Sequence, residues 1–176
     1  MGLFSKKPKE LEYDAVECQN KKVRMRQIFN EAVADGDSYK ILHATETTTK
    51  FEHGFVFDTN TTTFYHYILG YRQSDHKIVL VQIDRDLTQH SEEIQIDMSA
   101  VVEAHYTPKY YQACLQYKKG HPQYAEILNI GDTGSKTVAG IPNMVQKEER
   151  EAFLDYLEIL RSRLEQQGNK QEKWKR

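Results

Sequence analysis

Two hydrophobic periods divide the chain. Between Asp14 and Val33 the apolar residues Met25, Ile28, Phe29, Ala32 and Val33 recur three or four positions apart, which predicts one face of an α-helix. Asp14 with Glu17 three residues on predicts its N-cap, and Asp35-Gly36 its stop. From Tyr39 the period drops to two. Runs rich in Thr, Tyr, Phe, Val and Ile predict strands at 39–47, 51–58, 62–71, 77–84, 93–105, 109–119 and 124–130. Alternation is clearest in Ile94, Ile96 and Met98, and in Tyr111, Ala113, Leu115 and Tyr117. Short connections make neighbouring strands antiparallel. The helical period returns near the end, where Phe153, Leu157, Leu160 and Leu164 form a stripe widened by Leu154. Asn143 is the expected cap of this helix, with Gln146 as its partner, and Glu148, Glu149 and Glu151 lie near its positive end.

Strands followed by one amphipathic helix form a specific order. With the stretches IQIDMSAVVEAHY (94–106), ahead of two further strands, and FLDYLEILRSRL (153–164), the region from Tyr39 to Gln167 resembles the pleckstrin-homology-like (PH-like) superfold, whose bacterial members are similar there. The resemblance implies an α+β, mostly antiparallel fold. Two near-orthogonal sheets of about seven strands in all would form an open barrel plugged at one end by the C-terminal helix. The N-terminal helix is then an addition, and a helix-grip (START-like) fold is the alternative. The expected division is a mobile lead at 1–10, a helical region at 11–36, the barrel and closing helix at 37–167, and a basic tail at 168–176. Eukaryotic members bind inositol phosphates through a basic first hairpin. The matching turn here, Thr45-Glu46-Thr47-Thr48-Thr49-Lys50, offers one lysine and a glutamate, so that activity does not carry over.

Charge refines the picture. The chain has 176 residues, enough for one core, and a net charge of −2, which argues against nucleic acid as a partner. Residues 1–26 and 168–176 each carry a net +3, which leaves the body at −8. Lys6, Lys7 and Lys9 at one end, and Lys170, Lys173, Trp174, Lys175 and Arg176 at the other, could hold an anionic membrane surface. Lys21, Lys22, Arg24 and Arg26 could meet an acidic partner or form a solvated helix face. The two cysteines, Cys18 and Cys114, form no C-x-x-C pair and are expected to be reduced thiols in a cytoplasmic protein.

Candidate chemistry is sparse. GDTGSKT (131–137) approaches a phosphate-binding loop but is one residue short, has Ser135 in place of glycine, and runs into Gly140 and Pro142 rather than a helix. The expectation is a plain connection. A hairpin turning at Thr59-Asn60 would set His53 opposite His66, Phe55 opposite Phe64 and Phe51 opposite Ile68, and a turn before Lys50 would bring His43 into the same row. Such a cluster could bind metal or sense pH. Tyr65, Tyr67 and Tyr71 share the opposite strand face, which suits protein recognition or a second layer beneath the N-terminal helix. Cys114 lacks an evident activating base, and no nucleophile elbow occurs. These readings predict a non-catalytic cytoplasmic module, without a cofactor, that binds a protein or peptide beside the last helix or along a free strand edge. The alternatives are peripheral binding to anionic membrane and carriage of an apolar small ligand in a helix-grip cavity.

Overall fold

The structure is a computed structural model and describes residues 13–53, 58–132 and 140–171. Helix α1 (Ala15–Ala32) precedes seven strands, β1 (Lys40–His53), β2 (Asp58–Arg72), β3 (Lys77–Ile83), β4 (His90–Gln95), β5 (Val101–Thr107), β6 (Gln112–Tyr117) and β7 (Ala125–Asn129), and helix α2 (Lys147–Gln166) closes the fold. All pairings are antiparallel, and the sheet order is β4-β3-β2-β1-β7-β6-β5. The two edge strands are consecutive in sequence, so the sheet has to curl. Laid flat, seven strands about 4.8 Å apart would separate their edges by about 29 Å, whereas the link from Gln95 to Val101 reaches about 20 Å. The link is held at both ends: Ile96 N–H donates to Ile78 O at 3.0 Å, and Lys118 N–H donates to Ala100 O at 2.8 Å. The sheet stays open, in the PH-like arrangement expected from the sequence.

α2 fills the concave face. Phe153, Leu154, Leu157, Leu160 and Leu164 are all buried against Leu42, Ala44, Leu69, Leu80, Leu115 and Leu128. The space that a helix-grip carrier would hollow out is thus occupied by side chains. α1 covers the convex face of β2 and β3, with Met25, Ile28 and Phe29 against Ile68, Val79, Val81 and Ile83. Contact is closest at Gly70, where an added Cβ would lie 2.1 Å from Phe29 Cζ, so only glycine admits the ring. The Asp14 carboxylate caps α1, accepting from the Val16 and Glu17 N–H groups at 2.9 Å each. α1 ends before Asp35, which adopts a left-handed conformation with φ 55°.

The basic residues of α1, partly exposed, also dock the helix. Lys21 donates to Pro142 O at 2.7 Å, Lys22 pairs with Glu149 at 2.6 Å, and Arg24 donates to Leu87 O. Arg26 donates to Gly36 O and Tyr39 O.

Two strand boundaries differ from expectation. The strands expected at 39–47 and 51–58 are largely one strand, β1, because no Gly, Pro, Asn or Asp interrupts residues 40–53. The run expected at 93–105 is divided between β4 and β5. Asp97 makes a turn there, its carboxylate accepting from Ser99 N–H and Ser99 Oγ–H while Ala100 N–H donates to Asp97 O. The hairpin register moves accordingly, with Thr45 opposite His66, Thr47 opposite Phe64 and His53 opposite Asp58. At the start of α2, Gln146 rather than Asn143 occupies the cap position. Asn143 instead adopts φ 57°, and its amide donates to Glu17.

Candidate functional site

Between the two helices the first residues of β1 lie at the bottom of a surface groove. One stretch, of about 600 Å³, is lined by Lys22, Val23 and Arg26 of α1, Lys40 and Ile41 of β1, Tyr71 of β2, and Glu149 and Ala152 of α2. A second, of about 450 Å³, continues past Lys40, Tyr71 and Ala152 to Arg72, Asp155, Tyr156 and Ile159. Lys40, Tyr71 and Ala152 line both. Val23 and Ile159 expose apolar surface at 48% and 40%. The Tyr71 ring packs on Phe153 and Tyr156, with centroids 5.1 and 4.9 Å apart, and the residue is 3% exposed. Its hydroxyl is buried without a hydrogen-bond partner among the described residues. Burial first, then the carboxylates of Asp155 and Glu149, raises its pKa and keeps it protonated. Tyr71 thus lines the groove, while its hydroxyl, buried beneath the surface, is a neutral donor without an acceptor among the described residues.

The expected tyrosine face is not an exposed one. Of the three side chains only Tyr65 is exposed, at 37%. Tyr67 and Tyr71 belong to the α2 core, because the odd positions of β2 point into the concave face. They also lie away from α1, whose side of the sheet takes His66, Ile68 and Gly70. The Tyr67 hydroxyl donates to Glu46 at 3.2 Å.

The histidines group differently from expectation. His43 and His66 stack with centroids 5.4 Å apart, and His43 Nε2 is hydrogen-bonded to His66 Nδ1 at 3.2 Å. His53 sits ten residues along the same strand, about 33 Å away in an extended chain, where its side chain is exposed. Among the described residues no three His, Cys, Asp or Glu side chains form a group that could hold a metal. Burial, then repulsion from His66, lowers the His43 pKa to about 3. Burial and Arg85 lower that of His66, against an opposing pull from Asp84.

Beside this pair the sheet is nearly split, since β1 and β7 share a single register pair, Thr45 with Asn129. The Gln146 side chain bridges the gap. Its oxygen accepts from His43 N–H and its amide donates to His43 O, both at 2.8 Å, with longer contacts to the Ile130 and Gly131 carbonyls. Of the GDTGSKT stretch, Gly131 and Asp132 are described, and residues 133–137, including Lys136, lie outside the described residues. The Asp132 carboxylate accepts from Gln146 N–H at 2.8 Å and pairs with Arg150 at 3.0 Å. The chain's own carboxylate thus holds the helix start that a phosphate would seek.

Cys114 lies in β6 opposite His105, and burial, then Glu103, raises its thiol pKa to about 11. Lys6, Lys7, Lys9, Lys173, Trp174, Lys175 and Arg176 lie outside the described residues. Among the described residues no helix is long and apolar enough to cross a membrane. Sequence reasoning passed over Val23, Lys40, Ala152 and Ile159. The available signal was that Val23 and Ile159 are apolar residues off the core stripes of their helices. No family model matches the chain, and no curated protein or solved structure matches it.

Proposed function

We propose that the protein is a non-catalytic interaction module that receives a segment of a partner protein in the groove between α1, the start of β1 and α2. The observation that carries this reading is Tyr71, which lines both stretches of groove and whose buried, protonated hydroxyl has no acceptor among the described residues. A buried unpaired hydroxyl costs about 1–3 kcal/mol, and a partner that brings an acceptor to it recovers that cost. Lys40, on the rim of both stretches, supplies a positive charge beside it. Val23 and Ile159 offer apolar contact on either side. The fitting partner is a segment with an apolar side chain next to a carboxylate or an exposed carbonyl. The raised Cys114 pKa and the burial of the histidine pair support a non-catalytic role.

The test is affinity capture from native lysate with the parent and Ala152→Arg side by side. Ala152 is half-buried on the groove wall, and an arginine there fills the groove from the rim. A partner recovered at least about tenfold less by the variant, at matched folding, supports the site; that ratio corresponds to about 1.4 kcal/mol. Equal recovery, or no specific partner for either protein, overturns it.

A further inference from the structure

β1 and β2 extend past the rest of the sheet. β3 pairs with β2 from His66 to Arg72, and β7 meets β1 at Thr45, while β1 and β2 remain paired with each other out to His53 and Asp58. Among the described residues, β1 beyond Thr45 is therefore paired on one side alone. Which backbone groups face the open side follows from alternation. His43 directs its N–H and C=O away from β2, toward Gln146. The register with β2 is unbroken from Lys40 to His53, so Thr47, Thr49 and Phe51 point the same way as His43. Phe51 is also 71% exposed, an unusual position for a phenylalanine on a strand edge.

We propose that this edge binds a second copy of the same chain, with β1 pairing antiparallel to β1 across a two-fold axis at Phe51. Charge selects the register. Centred on Phe51, the pairing sets Lys50 opposite Glu52 of the second copy, and Glu52 opposite Lys50. Moving the centre one residue either way stacks Lys50 on Lys50 or Glu52 on Glu52, which like charges disfavour. At the favoured register the two Phe51 residues exchange both backbone hydrogen bonds and their rings meet on one face, giving an isologous contact. A two-stranded ribbon is marginal in water, and this contact turns two of them into a four-stranded sheet. The edge is short, so the contact is smaller than the standard interface of about 1,600 Å² and the dimer is expected to be concentration-dependent. This inference is independent of the groove.

Sedimentation velocity on the full chain, from about 5 to about 300 µM, tests it. The parent is expected to shift from monomer to dimer within that range. Lys50→Glu and Glu52→Lys should each weaken dimerisation about tenfold or more, and the double exchange should restore it to within about threefold of the parent. These positions are exposed, and unchanged circular dichroism and unfolding midpoints would confirm that folding is retained. A parent that stays monomeric to the highest concentration overturns the inference. So does a dimer that the single changes leave intact or that the double exchange fails to recover.

Discussion

On the concave face of the sheet, α2 makes contact through Phe153, Leu157, Leu160 and Leu164, side chains that need shape and burial and nothing else. On the convex face, α1 and the segment ahead of α2 add polar work to an apolar contact. Lys21 reaches Pro142 O, Gln146 reaches the His43 backbone, and Cys18 lies 3.4 Å from the Val145 nitrogen. His43 and His66 are buried beneath them. The difference is one of sensitivity. An apolar contact is indifferent to pH and tolerant of small changes, whereas a buried polar contact fails when one partner changes protonation or is removed. The α1 side is thus the part of the molecule that solution conditions can loosen.

Acid should bring out this difference most strongly. The His43 pKa falls from 6.5 to about 3 on folding, and that of His66 falls too. The unfolded chain takes up protons below pH 6.5 that the folded chain refuses. The stability held by the neutral pair is therefore complete above about pH 6.5 and is lost as pH falls toward 3. For His43 the slope approaches about 1 kcal/mol per pH unit, several kcal/mol over the window, and His66 adds in the same direction. Urea midpoints between pH 7 and 5 should fall accordingly, and His43→Phe should flatten the slope. Between pH 7 and 5 the measurement stays above the range in which the carboxylates of Asp75, Asp84 and Asp97, all held below their ordinary pKa, begin to titrate. Hydrogen exchange should show α1 loosening before α2, and simultaneous loosening would remove the distinction between the faces.

Gln146→Leu comes next. It keeps the volume but leaves the His43 N–H and C=O buried without partners, at a cost of about 3 kcal/mol. Chemical denaturation measures that loss, and exchange at the His43 and Thr45 amides should rise more than in β3. A change below about 0.5 kcal/mol would mean that water or backbone adjustment replaces the amide.

Much of the fold was legible because apolar periodicity records burial directly. The stripe from Phe153 to Leu164 and the cluster from Met25 to Val33 are buried as expected. The count of seven strands also agrees, but through two opposite errors that cancel. Thr47-Thr48-Thr49-Lys50 contains nothing that forces a turn and continues a strand, while Asp97-Met98-Ser99-Ala100 carries turn chemistry inside an apparently alternating run. The slip in register moved His66 from His53 to the neighbourhood of His43. The tyrosine period points to a face that is either exposed or covered by the N-terminal helix, whereas the curl of the sheet turns Tyr67 and Tyr71 inward against α2. The polar contacts of Gln146, Asp132 and Lys21 join residues 14 to 121 positions apart, and no local pattern announces them.

The smallest effect on stability belongs to Tyr71→Phe, and it bears on the central claim that the Tyr71 hydroxyl is kept for an acceptor carried by a partner. Removing a hydroxyl that has no partner among the described residues should leave stability unchanged or raise it by up to about 1 kcal/mol. The decisive measurement is the amount of partner captured from native lysate by this variant relative to the parent, with folding matched. The account predicts a loss of about tenfold, equal to about 1.4 kcal/mol, and undiminished capture would contradict it.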